Sequence, residues 1–123
     1  MDESYEIQLI KVPVSDIEAS SRFYVENLGF EAQFVVAEYG WAQLSAGGVP
    51  FALYRPGMGG GDGAPGGGVD FHLSLPEEAF TARAQQLLEA GHLVEDEIHT
   101  ADDGGTFMDV RDPDGNIIKI SRR

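Results

Sequence analysis

Asp70 and His72 are the side chains with the clearest capacity for chemistry. One residue separates them in a segment that predicts a β-strand, so both side chains lie on the same face. A histidine beside a carboxylate can act as a general base or as a metal ligand, although a hydrogen-bonded structural histidine is the more common arrangement. His92 and His99 are expected at the surface, so the three histidines do not predict a three-histidine site.

Other routes to catalysis lack their usual residues. The chain has no cysteine, which excludes thiolate catalysis and cysteine-bound metal. No serine lies in a Gly-x-Ser-x-Gly motif, so acyl transfer is unsupported. Residues 57–68 are rich in glycine but lack the Gly-Lys-Ser/Thr ending of a phosphate loop, and this composition predicts a mobile linker. The sequence identifies no catalytic residue.

Aromatic side chains offer a second kind of site. Trp41, Tyr39, Tyr54 and Phe107 occupy predicted strands or their ends, where large flat rings can stack on a planar ligand or a cation. Core packing explains each ring equally well when it is taken alone. As a group near the glycine-rich segment they indicate a ligand pocket, with Trp41 and Tyr54 as the leading candidates.

Charge and length narrow the class of protein. The 123 residues suit a single domain, 1–123, and the formal net charge of −13 argues against nucleic acid as a partner. The same charge permits a cationic ligand, but solubility is a sufficient explanation for it. No apolar stretch is long enough for a membrane helix, and the acidic first residues do not resemble a secretory signal. We therefore expect a cytoplasmic protein without a membrane partner.

The order of elements repeats once along the chain. Each half predicts a strand, a helix that ends near a glycine, and three further strands, which gives two βαβββ modules at 6–55 and 69–123 joined by a linker at 56–68. The first half predicts strands at 7–14, 30–36, 39–44 and 49–54, with a helix that begins after Ser15 or Asp16 and ends at Gly29. The second half predicts strands at 69–75, 93–98, 106–111 and 116–121, with a helix at 77–89.

These motifs resemble the vicinal oxygen chelate superfamily, which includes glyoxalase I, extradiol dioxygenases, fosfomycin-resistance enzymes and bleomycin-binding proteins. The resemblance rests on Val14-Ser15-Asp16 before Phe23-Tyr24, on Leu28-Gly29-Phe30, on the paired βαβββ order, and on Asp112-Pro113-Asp114-Gly115-Asn116 before the last strand. It implies an α+β fold in which two modules form a cupped mixed sheet, with helices outside and a ligand cleft inside. It also implies a homodimer.

The resemblance assigns ligand-binding positions to the inner faces of the strands. From those positions we predict Leu9, Lys11, Ala52, Tyr54, Asp70, His72 and Lys119 as ligand-binding residues, together with the aromatic candidates Trp41 and Phe107. Metal-dependent relatives carry His, Gln or Glu ligands at the positions of Leu9, Ala52, Asp70 and Lys119. Leucine and alanine have no ligating atom and lysine carries a positive charge, so we expect neither a metal ion nor another cofactor. A shift of one residue would bring Gln8 inward, but it would also turn Ile10 and Val12 toward the cleft.

Two functions remain open from the sequence. We favour a metal-free binder of a small molecule, of the glyoxalase and bleomycin-resistance type, that sequesters an aromatic or cationic antibiotic. In this interpretation Asp70 and Lys119 form an ion pair at the former metal position. The alternative is a divergent metal-dependent lyase, isomerase or dioxygenase-like enzyme that uses Asp70 and His72.

Overall fold

The computed structural model describes residues 6–68 and 71–123, which form two compact units divided between Ala64 and Pro65. Each unit contains one four-stranded mixed sheet and one α-helix, which confirms the predicted α+β class and the βαβββ order. Neither α-helix in residues 6–68 and 71–123 has the length and apolar content of a membrane-spanning segment.

The first unit consists of a sheet with strand order β1-β4-β3-β2 and one helix packed against it. The elements are β1 (Ile10–Pro13), α1 (Ile17–Glu26), β2 (Glu31–Val36), β3 (Trp41–Ala46) and β4 (Val49–Tyr54). Strand β1 runs parallel to β4, and the other pairs are antiparallel. The core contains the packed rings of Tyr24, Phe30 and Phe51, whose centroids are 5.0–5.6 Å apart.

Local sequence explains both ends of α1. The Asp16 side chain accepts a hydrogen bond from the Ala19 backbone N–H at 3.0 Å, which satisfies one of the amide groups that a helix N-terminus leaves free. After the helix, Gly29 has a φ of 79°, a conformation that favours glycine, and its N–H donates to the Val25 carbonyl. The predicted start of the helix is thus confirmed, whereas the helix ends at Glu26, three residues before the predicted end at Gly29.

The second unit repeats the first in its strand order, β5-β8-β7-β6. Its elements are β5 (His72–Leu75), α2 (Glu77–Glu89), β6 (His99–Thr100), β7 (Thr106–Arg111) and β8 (Ile117–Arg122). The pairing of β5 with β8 is parallel and the other pairs are antiparallel, as in the first unit. Identical order and direction in both units support an origin by duplication.

Three predicted strands differ by more than one residue from the described structure, and the smallest of these differences is in the strand predicted at 39–44, which lies at Trp41–Ala46. Strand β1 begins at Ile10 rather than at residue 7, so Leu9 lies just before it. The strand predicted at 93–98 is wrong: Leu93 makes only an isolated bridge, a 3₁₀ turn covers Val94–Asp96, and β6 is limited to His99–Thr100. Glu95 and Asp96 have φ values of 61° and 53°, a left-handed conformation that interrupts an extended strand.

Candidate functional site

Burial fixes which face of the first sheet packs against its helix. Val12 is fully buried on the helix side and Lys11 is exposed on the opposite side. Register then places Leu53 with Val12 and Ala52 with Lys11. This alternation matches the predicted faces. It also contradicts the one-residue shift that would bring Gln8 forward, because that shift would turn Val12 away from the core.

The glycine-rich segment packs on this opposite side of the first sheet. We call residues 57–63 the glycine cover, because Gly60, Gly61 and Gly63 in this segment lie against Tyr54 or Trp41. Tyr54 and Trp41 are cross-strand partners. A Cβ atom added to Gly60 would lie 2.9 Å from Tyr54 Cβ and 3.0 Å from Trp41 Cε3, and one added to Gly61 would lie 2.9 Å from Tyr54 Cε2. Glycine is therefore required here for close approach to two rings.

Two polar contacts hold the glycine cover. Lys11 Nζ donates to the Gly60 carbonyl at 2.6 Å, and the Gly63 N–H donates to the Tyr54 hydroxyl at 3.0 Å. Lys11 Nζ also lies 5.2 Å from the centroid of the Tyr54 ring, within reach of a cation–π interaction. The composition predicts a mobile linker; the structure adds that part of it packs on the sheet.

The glycine cover limits what the first sheet can offer to a ligand. Tyr54 is 6% exposed and Ala52 is fully buried, whereas Trp41 is half-buried with its indole N–H donating to Gln43 at 3.2 Å. In this arrangement Tyr54 presents little surface to solvent. Among the predicted residues in this unit, Lys11 is exposed and Leu9 and Trp41 are half-buried.

The second sheet has a more open polar face. Its helix side carries Met108, Val110, Ile118 and Ile120, all at most 3% exposed. We call the opposite side the Lys119 face. Strand register places these residues on it: His72, Ser74, His99, Phe107, Asp109, Arg111, Ile117, Lys119 and Ser121.

Lys119 lies between a carboxylate and a ring. Its Nζ is 3.6 Å from Asp109 Oδ1 and 3.9 Å from the centroid of the Phe107 ring. The side chains of Lys119 and Asp109 are 35% and 23% exposed, so water screens their attraction in part. His72 is the register partner of Lys119 on the neighbouring strand and is exposed.

His99 lies beside Phe107 on the Lys119 face, and its position differs from the predicted one. It was expected at the surface, but it is half-buried and its ring stacks on Phe107 with centroids 5.2 Å apart and planes 24° apart. Its Nδ1 lies 3.6 Å from Glu97 Oε2, a pair that is charged only when the histidine is protonated. The Lys119 face therefore joins cationic, acidic and aromatic groups.

Sequence reasoning missed Asp109, although a signal for it existed. The turn formed by Asp112 to Asn116 joins β7 to β8, and Arg111 pairs with Ile117 directly beyond it. Counting outward by two residues from that pair places Asp109 opposite Lys119. The expected partner of Lys119 was Asp70, which lies outside the described residues.

The described residues do not fit a metal site at the positions that metal-dependent relatives use. Ala52 and Leu9 have no ligating side-chain atom, and the Lys119 ammonium places positive charge where a cation would bind. Across residues 6–68 and 71–123, no three His, Asp or Glu side chains are grouped to hold a metal ion. Asp70, the fourth position, lies in the gap between these ranges.

The site residues thus fall into two groups, each within one unit. The structure brings together Lys11, Trp41, Ala52 and Tyr54 in the first unit, with Leu9 adjacent to the strand. It brings together His72, Phe107 and Lys119 in the second.

The Lys119–Asp109 contact predicts coupled stabilities. Lys119→Met and Asp109→Asn should each lower the free energy of unfolding slightly, and the double variant should lose less than their sum, by about 0.5 kcal/mol, because the pair is partly exposed. Urea denaturation of the four proteins measures this coupling. Strict additivity would show that the two charges do not interact in solution.

Fold and site together define a small α+β protein with paired βαβββ modules and polar sheet faces. The family model described as Glyoxalase/Bleomycin resistance protein/Dioxygenase superfamily matches residues 6–120. The chain belongs to this superfamily, which confirms the resemblance seen in the sequence. No curated protein matches the chain in sequence.

Solved structures agree with this assignment of the fold. A glyoxalase-related enzyme from Fulvimarina pelagi has a TM-score of 0.74 at 23% identity, with 96% of this chain and 88% of that chain covered. A lactoylglutathione lyase from Agrobacterium tumefaciens has a TM-score of 0.74 at 18% identity, covering 98% and 96%. A virulence protein from Salmonella typhimurium has a TM-score of 0.68 at 29% identity, covering 98% of each chain.

Proposed function

We propose that the protein binds a small planar aromatic compound on the Lys119 face, without a resident metal ion, and releases it unchanged. The observation that carries this proposal is the arrangement of Phe107: its ring is stacked with His99, approached by Lys119, and half-exposed on a sheet face opposite the core. Aromatic surface held rigidly beside a few polar groups is typical of ligand sites.

Binding is favoured over catalysis by the chemistry of the residues present. The described residues at three of the four family metal positions provide no metal ligand, and Lys119 is engaged with Asp109. A divergent metal-dependent lyase, isomerase or dioxygenase-like enzyme would need ligands that these positions do not supply.

The description of the family includes bleomycin resistance proteins. It therefore suggests that such binding serves to sequester an antibiotic. A protein that holds an aromatic antibiotic lowers its free concentration, so protection depends on stoichiometry rather than on turnover. A cationic antibiotic is the other ligand class that the sequence suggested. We also propose that the protein acts as a cytoplasmic homodimer. Light scattering after gel filtration would measure its molar mass and so test the dimer.

Calorimetric titration with 1-naphthamide tests the proposed binding. We expect saturable binding that EDTA leaves unchanged and that Phe107→Ala weakens about tenfold, because the exposed part of the ring provides the aromatic contact surface. Phe34→Ala is the matched control, since Phe34 is a 52% exposed phenylalanine on the first sheet. Chromatography of the mixture should return the compound unchanged.

Three results would overturn the proposal. The first is absence of saturable binding at millimolar probe. The second is loss of binding in EDTA together with stoichiometric metal in the purified protein, which would restore the enzyme alternative. The third is equal weakening by Phe107→Ala and Phe34→Ala, which would place the probe elsewhere.

A further inference from the structure

Positive charge is concentrated in the last 18 residues of this acidic chain. Residues 106–123 contain four of the eight basic residues but only three of the 21 acidic residues. One of those three, Asp112, is buried and accepts hydrogen bonds from Asp114 N, Asn116 N and Asn116 Nδ2. Its carboxylate is thus engaged in hydrogen bonds within the turn.

Much of this positive charge is on the Lys119 face. Lys119 and Arg111 belong to it by strand register. Arg123 reaches it from the chain end, because its Nε donates to Ser74 Oγ at 3.2 Å. Asp109 is the carboxylate among the described residues that define the face, and Glu97 adds a second one beside His99. Three cations to two carboxylates still reverse the balance of the whole chain.

The position of the lysine disfavours a cationic ligand here. Lys119 Nζ lies 3.9 Å from the centroid of the Phe107 ring, where the cationic group of a ligand would otherwise bind. The lysine ammonium therefore repels a cationic ligand from this ring. An anionic group has the opposite interaction, since it can accept hydrogen bonds from the ammonium. The hydroxyls of Ser74 and Ser121, register partners on β5 and β8, can donate to the same group.

We propose that the Lys119 face binds aromatic carboxylates, with the exposed part of Phe107 and the His99 ring packing against the ligand ring and Lys119 pairing with the carboxylate. This inference rests on the proposed function and names its ligand class. Asp109 competes with the ligand for the Lys119 ammonium. Its carboxylate therefore weakens binding of the anion and sets the affinity.

Three probes of the same ring system separate charge from stacking: 1-naphthoate, 1-naphthamide and 1-naphthylmethylammonium. By calorimetry with the full chain, we expect 1-naphthoate to bind at least about tenfold more tightly than the amide, and the ammonium compound to bind most weakly. Lys119→Met should weaken 1-naphthoate about tenfold and change the amide less than about twofold. Asp109→Asn should tighten 1-naphthoate several-fold.

Control variants make the test specific. Arg22→Met removes the same charge from an exposed position on α1 and should leave all three affinities unchanged. Lys119→Arg should retain the preference for 1-naphthoate, because arginine keeps the positive charge. This variant provides the test if Lys119→Met does not fold. Equal affinities, tightest binding of the ammonium compound, or equal weakening of all probes by Lys119→Met would overturn this inference and leave aromatic binding intact. Failure of all three probes to bind would overturn the proposed function itself.

Discussion

Replacing Asp112 with alanine should lower the free energy of unfolding by about 3 kcal/mol, because three hydrogen-bond donors lose their acceptor in a buried turn. Asp112 is 3% exposed and Asn116 is 1% exposed, so water cannot easily replace the lost carboxylate. For a chain of this size the change corresponds to roughly 10 °C in melting temperature. Thermal melting followed by circular dichroism measures it.

Asp102→Ala is the matched control for this experiment. It removes a carboxylate from the turn before β7, where Asp102 is exposed, and should cost less than about 0.5 kcal/mol. Asp112→Asn should have an intermediate effect, since its side-chain oxygen can still accept from the backbone N–H groups. Equal stability of Asp112→Ala and Asp102→Ala would contradict the role assigned to the turn.

The turn also shows why much of the fold is readable from sequence. Its Asp-Pro-Asp-Gly-Asn sequence predicts a tight turn with a glycine in the left-handed conformation. Gly115 has a φ of 85°, which agrees with this prediction. Helix α2 was predicted at its observed bounds because Pro76 and Gly91 mark its ends. Such local signals need no knowledge of distant contacts.

Prediction failed where the backbone takes a left-handed turn and where a contact depends on a partner in another strand. The segment 93–98 alternates weakly, but Glu95 and Asp96 have positive φ values, so the backbone there turns instead of extending. His99 was assigned to the surface because nothing near it in sequence indicates Phe107, its stacking partner across the sheet. Asp109 lies opposite Lys119 through the register that the turn between β7 and β8 sets, a signal that spacing within one strand does not contain.

The packing of the glycine cover on the first sheet is the feature that amino-acid composition predicted least well. Flexible linkers and close-packed segments can share a glycine-rich composition, since the absence of a side chain serves both. What separates them is whether a Cβ would meet other atoms. At Gly57 and Gly59 it would meet nothing within 4 Å, whereas at Gly60 it would meet Tyr54 and Trp41.

Gly60→Ala should therefore detach the glycine cover from the first sheet. The new methyl group cannot be placed 2.9 Å from Tyr54 Cβ, and overpacking of this kind costs about 1–3 kcal/mol. The Gly63 amide, which donates to the Tyr54 hydroxyl, should then exchange its hydrogen at least about tenfold faster. Fluorescence of Trp41, the single tryptophan, should shift to the red as water reaches the indole.

Gly105→Ala tests whether these changes arise from the contact rather than from alanine itself. Neither Gly60 nor Gly105 has the left-handed backbone that favours glycine, and a Cβ at Gly105 would approach only the movable Asp103 carboxylate, at 3.0 Å. This variant should leave Gly63 exchange and Trp41 emission unchanged. If Gly60→Ala also leaves them unchanged, the glycine cover is already detached in solution, and Tyr54 and Trp41 become the open aromatic surface that the sequence first suggested.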